Sequence, residues 1–168
     1  MAVAVAPVAS ELVGLLADEL RLHDQLLVLA RRERDAVLGS DPAGLETLLI
    51  EKEALIAQVG RAEARRQQWI ADWAAAAGVD PAGLTLSAVA ARLPADDASE
   101  LEASRRRLLA RVRELGELNF RNHHLVSSAL NVVSRRLDAY NRVTTALGYR
   151  ASGATVTRAA SAQLDLRA

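Results

Sequence analysis

The residues of this 168-residue chain that could do chemistry are three histidines, a single lysine, several serines and a set of arginine runs. A di-iron site on a helical bundle needs a glutamate three residues before each ligating histidine, and Leu20, Phe120 and Arg121 occupy those places ahead of His23, His123 and His124. The adjacent His123 and His124 point about 100° apart on a helix and cannot share an ion. All three read as surface or interface histidines, with no metal. A phosphate-binding loop needs Gly-Lys followed by Ser or Thr, yet the sole lysine, Lys52, stands between Glu51 and Glu53 inside a helical pattern. No Gly-x-Ser-x-Gly elbow is present, and the absence of cysteine removes thiolate chemistry and disulfides. The residues form no catalytic set and call for no cofactor, so the chain reads as a protein other than an enzyme.

Arg31-Arg32, Arg65-Arg66, Arg105-Arg106-Arg107 and Arg135-Arg136 are the candidate nucleic-acid contacts. Acidic residues are interleaved through most of them, no aromatic platform accompanies them, and the 21 basic residues balance 21 acidic ones. They read as solvated helix faces, and the preference for arginine over lysine reads as codon bias. Trp69 and Trp73, one helical turn apart, read as core anchors expected to pack on Leu84, Leu86 and Val89.

These residues need helices to hold them. With 51% hydrophobic residues but only 3% aromatic, the core must be aliphatic, which suits helix packing better than a sheet. The first helix is expected from Ser10 as N-cap to a stop at Gly39. Its stripe runs through Val13, Leu16, Leu20, His23, Leu27, Ala30, Arg34 and Val37, widened by Leu12 and Leu26. Ser40 and Asp41 then offer a cap and Pro42 the first position of a second helix, carrying Leu45, Leu48, Lys52, Leu55, Val59, Ala62, Arg66, Trp69 and Trp73 and ending at Gly78. Lys52 and Arg66 are expected to lay their methylenes along the seam with their charges outside. Thr85 to Leu93 reads as a capped two-turn connector helix.

From Ala98 to Leu147 there is no proline, Gly116 is the only glycine, and apolar residues recur at three-four spacing. This predicts a third long helix starting near Asp97 or Ser99 and stopping at Gly148. The fold class is therefore all-α: an elongated antiparallel bundle of three long helices with a short connector helix and a disordered C-terminal tail. Residues 1–149 form the helical domain and 150–168 the flexible tail. The apolar stretch Ala2 to Ala9 is short, lacks a preceding basic residue and contains Pro7, so it reads neither as a secretory signal nor as a membrane span. A cytoplasmic location is the expectation.

Length adds a further constraint. At about 1.5 Å per residue the three helices measure roughly 42, 54 and 75 Å, so the third outruns the others by about 20 Å at its C-terminal end. The apolar positions there, Leu130, Val133, Leu137, Tyr140, Val143 and Leu147, are expected to be uncovered and to receive an amphipathic helix of another protein. Arg135, Arg136 and Arg142 are assigned to its rim, where charge orients a partner. Upstream, Asn119 and Asn122 interrupt an otherwise apolar seam. They read either as setting packing specificity against a matching partner or as a rotation of the seam onto Leu118 and Leu125.

With those residues in view, the chain resembles the FlgN-type family of flagellar export chaperones. The similarity lies in Asp41, Leu45, Leu48-Leu49, Glu51-Lys52-Glu53 and Leu55; in Leu84-Thr85-Leu86-Ser87 with Leu93-Pro94; and in Leu118-Asn119, Asn122, Leu125, Ala129-Leu130, Val133 and Gly148-Tyr149. The resemblance implies a cytoplasmic helical chaperone of type III flagellar export. Such a protein binds hook-associated proteins of the hook-filament junction, keeps them unassembled and delivers them to export apparatus components. It also implies that the C-terminal region binds the client. The alternative is a homodimeric coiled-coil scaffold or adaptor in which the same stripe meets its two-fold mate. The chain is expected to be a monomer or weak homodimer.

Overall fold

The computed structural model describes the backbone of residues 6–152 and the side chains of residues 10–145. Four helices occupy the described residues: α1 (Ala6–Leu38), α2 (Pro42–Ala77), α3 (Leu86–Ala90) and α4 (Ala95–Ser152). The chain divides into two compact units, Met1–Val126 and Ser127–Ala168.

Helix ends follow the local chemistry, with informative exceptions. Asp41 caps α2 by accepting from the Gly44 amide at 2.9 Å, Pro42 takes the first turn, and Gly78 closes the helix at φ 68°. α1 starts at Ala6, so Ser10 is an interior residue and not its N-cap. At the other end of α1 the left-handed residue is Ser40, at φ 53°, not Gly39. The amide of Asp41 donates to the Ala36 carbonyl (2.9 Å) and that of Ser40 to Val37 (3.3 Å), the pair of bonds that closes a Schellman turn.

α3 is a single short helix, with Thr85 accepting from the Ala88 amide at 3.2 Å, and is shorter than the two turns expected. α4 begins at Ala95, two residues before the predicted start, and runs past Gly148 to Ser152. One glycine costs a helix about 1 kcal/mol, which does not end it. The expected disorder from 150 onward falls largely on residues outside those described.

In the first unit α1 and α2 form an antiparallel hairpin, and α4 runs parallel to α1. Leu101 shares a cluster with Leu12 and Leu16, Arg111 meets Asp24, and Asn122 meets Ala30. The core has three parts. At one end Leu12, Leu16, Ile70, Val89, Ala90 and Leu101 are buried with Trp69, Trp73, Leu84 and Leu86 packed against them, the arrangement expected for the tryptophans. Leu22, Leu26, Leu29, Leu48, Leu55 and Ala62 zip the hairpin, and Leu27, Ala30 and Leu118 seat α4 on α1.

Two polar layers break this core, and both overturn the expectation that Lys52 and Arg66 keep their charges outside. Arg66 Nε donates to Glu19 Oε1 at 2.7 Å, with the Glu19 side chain only 1% exposed. Lys52 Nζ donates to Glu33 Oε2 at 2.8 Å and to Asn119 Oδ1 at 3.2 Å. Each cation has a carboxylate facing it from α1, so the seam holds a pair where a lone charge would have had to reach water. His23 is likewise buried rather than on the surface, its Nδ1–H donating to the Glu19 carbonyl at 2.8 Å.

Candidate functional site

The stripe at the C-terminal end of α4 is built by helix spacing alone. Leu130, Val133, Leu137, Tyr140 and Val143 follow one another at three- and four-residue steps, which brings their side chains to one face of the helix. They are 62%, 53%, 56%, 67% and 57% exposed respectively, and Val132 beside them is also exposed. The side chain of Leu147, the sixth member, lies outside those described. Apolar side chains at this spacing bury themselves when a partner is at hand, and here a run of them stands in solvent.

Spacing also sorts the arginines. Arg136 is three residues after Val133 and four before Tyr140, which places it beside the stripe. Arg135 and Arg142 are in step instead with Asn131, Asp138 and Thr145, a polar line on the other side of the helix. There Arg142 Nε donates to the Asp138 carbonyl at 3.2 Å. Of the three rim arginines, Arg136 alone is positioned to meet a group lying on the stripe.

Asn119 and Asn122 belong to a different place. Asn122 is 3% exposed, and its Nδ2 donates to the Ala30 carbonyl at 2.7 Å and to Glu33 Oε2 at 3.3 Å. Asn119 accepts from Lys52. The layer Glu33, Lys52, Asn119 and Asn122 thus ties α1, α2 and α4 together within the first unit. Leu118 is buried in the same seam, so the seam takes both the leucine and the asparagines. The Asn122 Oδ1 atom is buried without a partner among the described residues, leaving that layer one donor short.

The remaining candidates are surface features. His124 stacks edge-on against Phe120, ring centroids 4.5 Å apart, on an exposed turn of α4. Among the described residues no three histidine, aspartate or glutamate side chains converge as a metal set. None of the described helices is long and apolar enough to cross a membrane. Sequence reasoning missed Glu19 and Glu33, although a signal existed: Leu12, Leu16, Glu19, His23, Leu26 and Ala30 keep perfect four-three alternation, one step from the phase chosen.

A helical hairpin, a capped connector and a long amphipathic last helix in that order are what a comparison with known families can test. The family model described as FlgN protein matches residues 1–157. The chain belongs to the FlgN family. Membership of FlgN makes it, in general terms, a flagellar export chaperone. The match takes in α1 to α4, and with them the exposed stripe. No curated protein and no solved structure matches the chain.

Proposed function

We propose that this FlgN-family chain is a cytoplasmic chaperone for hook-associated proteins, and that its stripe from Leu130 to Val143, extended by Leu147, receives an amphipathic helix of the client. The observation that carries the reading is the exposure of five in-step apolar side chains on one helix face. If fully covered, five such side chains offer a gross term of about 7–15 kcal/mol. Association and ordering remove much of that, which leaves affinities around the micromolar range. Such affinity suits a carrier that has to release its cargo to the export apparatus.

A client segment unfolded before assembly fits the groove-free geometry, because it can form its helix on the stripe as it binds. Arg136 sets its direction by meeting a client carboxylate at the edge, a contribution to encounter more than to affinity. The test is truncation after Asn131 followed by co-purification with hook-associated proteins. The truncated chain is expected to keep a cooperative helical melt and to lose the client; retained binding refutes the assignment. Pairing of the stripe with a second copy is the competing arrangement, and solution mass separates the two. A stable dimer through Leu137 and Tyr140 would favour the scaffold.

A further inference from the structure

We propose that the cleft between the C-terminal end of α1 and the middle of α4 is a second binding site, one that takes an acidic, leucine-bearing peptide segment of a partner protein. The cleft measures about 480 Å³ and is walled by Arg31 and Arg34 on α1 and by Arg121 and Glu114 on α4. Its floor is apolar: Leu118 is buried at the bottom and Leu38, 61% exposed, stands at the rim. The site lies wholly within the first unit and is separate from the stripe that carries the proposed function.

Charge complementarity chooses the occupant. Arg31 is already engaged, donating to Glu114 at 2.8 Å, and Glu114 is further held by Arg111 at 2.9 Å. Arg34 and Arg121 have no ion pair or side-chain hydrogen bond among the described residues, so two guanidinium groups face the cleft with their donors free. Asp35 is the only carboxylate of the lining without a cation on it. Free guanidinium forks on two helices match carboxylates better than any neutral group. An inorganic anion would leave the leucines and most of the volume unused. A nucleic acid would meet Asp35 and Glu114 without an aromatic surface to stack on. An acidic segment with an apolar side chain uses the forks and the floor together.

The test is fluorescence anisotropy of a fluorescein-labelled peptide of alternating aspartate and leucine against the full chain, with a lysine-leucine peptide as its counterpart. The acidic peptide is expected to bind and the basic one not to. Arg34→Ala with Arg121→Ala should weaken binding by about tenfold or more, and raising the salt should weaken it as well. Arg65→Ala, at an exposed position on α2, and Leu137→Asp with Tyr140→Asp should leave it unchanged. Arg34→Glu with Arg121→Glu should transfer preference to the lysine-leucine peptide, a gain of binding that an unfolded variant could not show. Equal binding of the two peptides, or an affinity untouched by the double alanine variant, overturns the site. Loss of binding in the Leu137 and Tyr140 variant relocates it to the stripe and overturns it equally.

Discussion

Glu19 is buried on α1 with Arg66 of α2 as its counter-ion, at 2.7 Å. Removing the cation leaves a carboxylate in a low-dielectric seam. Arg66→Ala is therefore expected to cost about 3–5 kcal/mol, read as a fall in the denaturation midpoint. Glu19→Leu combined with Arg66→Leu should recover most of that loss, because the charge and its partner leave together. Ser40 shows the opposite case, a residue whose replacement should help. It holds φ 53° at the left-handed position of the turn after α1, where a side chain crowds the backbone. Ser40→Gly should raise stability by about 0.5–1 kcal/mol and the melting temperature by a few degrees.

At the scale of elements, α2 and α4 carry glycines that their packing does not use. A Cβ built at Gly60 or at Gly116 meets nothing within 4 Å. Gly60→Ala and Gly116→Ala are each expected to stabilise the helices by about 0.5–1 kcal/mol, since alanine loses less backbone freedom and clashes with nothing. The junction of α3 with α4 is tuned by charge. The Ser87 hydroxyl, and after it the Arg105 guanidinium at 2.8 Å, hold the Glu102 carboxyl below its ordinary value. A carboxyl lowered in the folded state stabilises the protein above its unfolded pKa, and that contribution is lost as pH falls through the folded value. Ser87→Ala should move Glu102 upward toward the ordinary carboxylate value in an NMR titration and reduce the difference in stability between neutral and acidic pH.

For the molecule as a whole, the proposed binding of a client to the stripe is separable from folding. Leu137 and Tyr140 are more than half exposed, so Leu137→Asp with Tyr140→Asp should change the thermal midpoint little while abolishing capture of hook-associated proteins. A chain unfolded by these changes would mean that the stripe belongs to the fold. A midpoint that rises with protein concentration would mean that it belongs to a dimer.

Local chemistry was enough to start α2 at the Ser40-Asp41 cap and end it at Gly78, and to seat the tryptophans on the connector; it found α4 but stopped it at Gly148, which the helix passes to reach Ser152. Caps, glycines, prolines and three-four spacing act within a few residues of where they stand. The same spacing located the stripe and, counted more closely, separated Arg136 from Arg135 and Arg142. The buried charges were decided by the tertiary structure. Glu19 and Arg66 lie 47 residues apart in sequence and Glu33 and Lys52 lie 19 apart, and nothing near any one of them says that it will meet its partner. A charged residue in an apolar stripe is read as reaching for water unless another helix brings the opposite charge. Only the register in which α1, α2 and α4 come together supplies it, because the energy of an ion pair depends on distances that the linear order does not contain.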